Sequence, residues 1–94
     1  MEIADKLIEL HELLHRLRED YDNLSHYKDL VELDEKVLSG EFGELDEEEY
    51  REREEELKSH RKMLSDVEEE IQRTKKRVRI LLAEIVQELE GEEE

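Results

Sequence analysis

Apolar side chains recur along the first forty residues on an alternating four-three spacing: Ile3, Leu7, Leu10, Leu14, Leu17, Tyr21, Leu24, Val31 and Leu38, interrupted by Lys28 and Glu35. This is a heptad seam, the pattern of a helix that buries one narrow stripe against another helix. It predicts a first helix over residues 2–39, about 57 Å long at 1.5 Å per residue. Asp20-Tyr21-Asp22-Asn23-Leu24-Ser25 is rich in turn and cap formers, but the seam crosses it, and one continuous helix, bent at most, is expected there.

Proline is absent, and the three glycines are Gly40, Gly43 and Gly91, so helix-stopping signals fall only near the middle and the end. The linker is expected at 40–45. Asp46 then caps the free amides of a second helix, Glu49 stands three residues on as in a capping box, and Glu47, Glu48 and Glu49 complement the positive end of the helix dipole. Tyr50, Leu57, Leu64, Val67, Ile71, Val78, Leu81 and Ile85 repeat the seam, with Arg53, His60, Thr74 and Glu88 at its polar positions. The second helix is expected over 46–90 and an acidic tail over 91–94. The whole chain reads as one all-α domain, an antiparallel two-helix hairpin of coiled-coil type.

A short symmetric linker makes residues whose numbers sum to roughly 84 face each other. Glu2, Asp5, Glu9 and Glu12 then lie opposite Arg73, Lys75, Lys76, Arg77 and Arg79, while Lys28 and Lys36 approach the acidic stretch from Glu47 to Glu56. In outline the hairpin is similar to helical-hairpin chaperone subunits of the prefoldin family, but it is shorter and lacks their strand-rich segment between the helices.

Apolar surface is left over at the loop-distal end. Ile80, Leu82, Ile85, Val86 and Leu89 on the second helix and Ile8 and Leu13 on the first exceed what one facing helix covers. They predict a homodimer, a four-helix bundle at that end. Phe42 and Leu45 at the hairpin tip are the expected contacts for a further protein partner. The expected function is thus a non-enzymatic interaction or assembly module without a cofactor.

Composition narrows the alternatives. The 94 residues carry 31 acidic and 15 basic side chains, a net charge of -16 that repels phosphate backbones and anionic lipid. Cysteine is absent, excluding disulfides and thiolate chemistry. No apolar run approaches the roughly 20 residues that span a bilayer, and the start has no leader pattern, so the expected location is the cytoplasm. Five basic residues at 73, 75, 76, 77 and 79 raise the runner-up function, nucleic-acid association, though no aromatic is interleaved for stacking.

His11-Glu12-Leu13-Leu14-His15 matches the pattern in which two helical histidines ligate zinc and a glutamate acts as general base. Over these five residues the chain resembles zinc-dependent metallopeptidases, which implies a catalytic zinc on His11 and His15. No third ligand is identifiable, and a solvated flank is the reading preferred. His60, on the seam opposite Leu24, reads as a boundary residue; its livelier reading is a pH switch in which charging the ring against an apolar neighbour loosens the hairpin.

Overall fold

The computed structural model describes residues 2–92, which form two helices and no strand: α1, Ile3–Leu38, and α2, Glu47–Glu92. They pack against one another as an antiparallel helical hairpin. α1 is unbroken through residues 20–25. Gly91, expected to stop the second helix, lies inside α2.

The connection is built by its glycines. The Glu41 amide donates to the Lys36 carbonyl and the Gly40 amide to the Val37 carbonyl, the two bonds of a Schellman C-cap, with Gly40 at φ 84° as that cap requires. Gly43, at φ 121°, donates back to the Gly40 carbonyl and closes the turn. At the start of α2 the Glu49 amide donates to Asp46 Oδ1 at 2.8 Å, so the cap is where the sequence places it. Hydrogen bonding to the Asp46 carboxylate, and that group's charge, hold the Glu49 carboxyl above its usual range.

Two compact units divide the helices. One combines the residues up to Tyr21 with those from Glu69 onward; the other spans Asp22–Glu68. In the first, Leu13, Val78, Leu81 and Ile85 form a buried cluster with Leu10 packed on it, and Leu81 is fully enclosed. In the second, Leu57 and, unexpectedly, Asp34 are buried.

The seam of α2 is the one its spacing predicts. Leu57, Ile71, Thr74, Val78, Leu81 and Ile85 are buried, and Arg53, His60, Leu64, Val67 and Glu88 are half-buried. Tyr50 alone departs, being exposed. On α1 only half of the expected seam is inward. Ile3, Leu10, Leu17, Leu24, Val31 and Leu38 are half-buried, but the residues alternating with them are Lys6, Leu13, Asp20, Tyr27 and Asp34, not Leu7, Leu14 and Tyr21, which are exposed. In heptad letters, Ile3, Leu10 and their successors are a, Lys6, Leu13 and theirs are d, and Leu7, Leu14 and Tyr21 are e. On α2, Leu57 and its successors are a, and His60 and its successors are d.

The register also differs from the expected sum of 84. Ion pairs join Glu9 to Arg77, Asp34 to Arg53 and His60, Glu35 to Arg61, and Lys6 to Glu84 and Glu88. Their sums centre on about 91, which sets Leu10 beside Leu81 and Leu13 beside Val78, as the buried cluster requires. The cause lies in the turn. α1 stops at Leu38, at the level of Arg53, so the first turn of α2 has no α1 residue opposite it and Tyr50 stays open.

Candidate interaction surface

Several polar seam residues pair with one another across the two helices. Asp34 is 1% exposed; Arg53 Nη1 donates to its Oδ1 at 3.0 Å, and His60 Nδ1 lies 2.5 Å from its Oδ2. The hydrogen-bond partner of His60 is therefore a carboxylate. This acid stands where an apolar neighbour of the ring was expected. At the other end Lys6, largely buried, pairs with Glu88 and reaches Glu84 at 3.8 Å.

The two flanks of the seam have different chemistry. On the g side, Arg77 grips Glu9 with two hydrogen bonds, 2.8 and 3.0 Å, which hold the Glu9 carboxyl below its usual range. On the e side, the unit next to the loop also has an ion pair, Arg61 with Glu35 at 2.9 Å. The e side of the loop-distal unit has none among the described residues. The e residues of that unit include Leu7 and Leu14 on α1 and Leu82 and Leu89 on α2. With Tyr21 and Val86 these six side chains are each between 44% and 50% exposed. The residues beside them at position b and along e are Ala4, His11 and Arg18 on α1, and Gln72, Lys75 and Arg79 on α2. In a chain with 31 carboxylate side chains, this flank of the loop-distal unit has none among the described residues.

The expected self-association residues therefore separate into three groups. Leu82, Val86 and Leu89 lie on the exposed flank. Ile80 and Ile8 are exposed too, but at positions c and f, on outward faces of their helices. Leu13 and Ile85 require correction: at 8% and 4% exposure both belong to the core between the two helices, because the shifted register gives Ile85 a partner where an overhang was expected. Leu7, Leu14 and Tyr21, expected in the seam, take their place on the surface. The missed signal is confined to the first three heptads of α1, where apolar residues fall equally at a (Ile3, Leu10, Leu17) and e (Leu7, Leu14, Tyr21), a stripe wider than one facing helix covers. At the hairpin tip Phe42 is 66% exposed and Leu45 half-buried.

The basic residues from 73 to 79 are distributed around the exposed side of α2. Successive residues turn by about 100°, so Arg73, Lys75, Lys76, Arg77 and Arg79 fall at c, e, f, g and b, spread over every position of the helix outside the seam. Arg77 is held by Glu9 and Arg73 by Glu70 at 2.7 Å. Lys36 pairs with Glu32, and Glu41 adds to the field around it, in place of the expected approach to the acidic start of α2.

His11 and His15 are exposed on α1, and His15 Nε2 lies 3.1 Å from Glu19 Oε1. Among the described residues no group of three or more metal-ligating side chains converges, and no helix is long and apolar enough to cross a membrane. Asp20, at a d position, has a buried Oδ2 without a hydrogen-bond partner. Burial, with the charges of Glu70 and Glu19 adding and Arg16 opposing, holds its carboxyl above the usual range. Compared with protein-family models, curated proteins and solved structures, the chain matches none.

Proposed function

We propose that this chain is a non-enzymatic assembly module whose loop-distal e flank binds a second copy, making a four-helix bundle of two hairpins. The observation that carries the reading is the apolar flank formed by Leu7, Leu14, Tyr21, Leu82, Val86 and Leu89, free of carboxylates among the described residues. Two helices that each present a, d and e positions to apolar neighbours are the components of a bundle, whereas an isolated pair needs a and d only. Net charge argues for the same face. At -16, copies repel one another over most of their surface, and the flank without carboxylates is where that repulsion is least. A homodimer with two-fold symmetry is the commonest closed arrangement for such a surface.

Phe42 and Leu45 at the tip are the contact proposed for a different protein, and a cytoplasmic location belongs to the same proposal. The test of self-association is substitution. Leu82→Glu with Val86→Glu abolishes the oligomer measured by sedimentation, while Ile80→Glu, on the outer face, leaves it intact. Rising salt tightens association, because it screens repulsion between acidic copies and does not weaken an apolar contact. Unchanged association in the Leu82→Glu, Val86→Glu variant overturns the reading.

A further inference from the structure

The flank proposed to meet a second copy lacks described carboxylates, and it is also positive. Arg18 at b on α1, with Lys75 at e and Arg79 at b on α2, lies along it beside His11. Among the described residues none of these cations has an ion pair or a side-chain hydrogen bond, whereas Arg73 and Arg77 on the same stretch of α2 are held by Glu70 and Glu9. The next row outward, f, carries Ile8 and His15 on α1 and Lys76 and Ala83 on α2, so it supplies no carboxylate over this stretch either. Glu19, further round at c, is engaged by His15 at 3.1 Å. A positive strip on a chain of net charge -16 is more than an apolar contact needs.

That charge bears on association whichever helix of the second copy faces which. Leu14 and Tyr21 bracket Arg18 on α1, so a contact that covers both includes it. In the register near 91, Lys75 and Arg79 stand beside the part of α1 that holds Leu14, so they border the same contact. Both copies bring these cations, and neither brings a described carboxylate at e or b. The cations of two chains then gather along an interface from which water is partly excluded, where like charges repel more strongly than in bulk solvent. A multivalent oxyanion offsets several of them at once. Guanidinium groups take such an anion through paired hydrogen bonds, and a lysine adds a point charge. Chloride has a single charge and no matching geometry.

Resting on the assembly reading above, we infer that the interface between two copies takes up a multivalent oxyanion of the phosphate type, held by Arg18, Lys75 and Arg79, and that this uptake tightens association.

The dimer dissociation constant is measured by sedimentation at fixed ionic strength, in sodium chloride and with millimolar sodium pyrophosphate replacing part of it. Association about tenfold tighter in pyrophosphate is expected, because an anion that binds the dimer and not the separate chains stabilises it by mass action. The Arg18→Gln, Lys75→Gln, Arg79→Gln variant, compared with its own value in chloride, no longer responds. A matched control, Lys28→Gln with Lys58→Gln and Lys62→Gln, removes the same charge from the other unit and keeps the response.

Equal dissociation constants of the parent in the two salts overturn the inference and leave the assembly reading standing. A flank variant that still responds also overturns it, since the effect is then a general action of the salt on apolar contact, and so does a control that loses the response. Tightening by a short single-stranded oligonucleotide but not by pyrophosphate overturns it in favour of the nucleic-acid reading. A parent chain that is monomeric in both salts at every concentration overturns the assembly reading itself.

Discussion

Replacing His60 by Leu tests whether a buried ionic cluster holds the unit next to the loop together. Asp34 is enclosed and its two oxygens have separate partners, Arg53 at 3.0 Å and His60 at 2.5 Å. Leucine removes the donor to Oδ2 and leaves that oxygen facing an apolar group. A hydrogen bond to a charged group contributes about 1.5–3 kcal/mol. The Arg53 bond survives and its side chain is 32% exposed, so part of the loss is met by solvation of the remaining pair. The expected cost is roughly 2 kcal/mol, or a fall in Tm of roughly 8–16 °C for a chain of this size. Thermal unfolding followed by circular dichroism reads it, at one fixed protein concentration, since association makes Tm depend on concentration. His26→Leu, at an exposed histidine, serves as the control and stays within about 0.5 kcal/mol of the parent. A His60→Leu variant equally close to the parent refutes the reasoning. Replacing Asp34, Arg53 and His60 together by Leu, Met and Leu is expected to be neutral or stabilising by about 1–4 kcal/mol, because no charge is then left buried without a partner.

Three further outcomes follow from the same geometry. Asp20→Asn stabilises the chain at neutral pH by on the order of 1 kcal/mol. The Asp20 carboxyl titrates higher in the fold than in the unfolded chain, so its penalty is absent below the unfolded value, grows as pH rises through the folded one, and is constant above; a gap between variant and parent that is equal at pH 3 and pH 7 contradicts this. The Glu9–Arg77 pair has the opposite sign: with the Glu9 carboxyl depressed, its contribution is present above the unfolded value and lost as pH falls through the folded one. A double-mutant cycle with Glu9→Gln and Arg77→Gln should show coupling that shrinks at 1 M salt, and coupling indifferent to both salt and acid argues against it. Gly40→Ala and Gly91→Ala should act in opposite directions in denaturant titrations. The first forces a Cβ into φ 84° and costs about 1–2 kcal/mol although no atom crowds it; the second replaces glycine inside α2 with open space around it and stabilises by up to about 1 kcal/mol.

The second helix was legible in the sequence because its seam has one apolar period whose polar interruptions, Arg53, His60, Thr74 and Glu88, fall on the same face. The cap at Asp46 and the stop at Gly40 were legible for the same reason, a local signal with one local meaning. The first helix was read half correctly. Its d positions include Lys6, Asp20 and Asp34, so counting apolar residues favours the a and e positions and rotates the expected contact toward Leu7, Leu14 and Tyr21. Charge matching supplies the missing constraint. Arg53 and His60 on one seam call for a buried acid on the other, and Glu88 calls for a base. Asp34 and Lys6 meet both requirements only near a sum of 91. The shift of Ile85 from overhang to core, and of Leu13 from flank to core, is the consequence of that register.

The central claim is that the loop-distal e flank is an interface between copies, and its most direct measurement is solution mass by light scattering over a concentration series. The account predicts about 23 kDa, twice the 11.4 kDa of one chain, persisting on dilution and falling to the single-chain mass for Leu82→Glu, Val86→Glu. A parent chain that remains at 11.4 kDa at every concentration contradicts it.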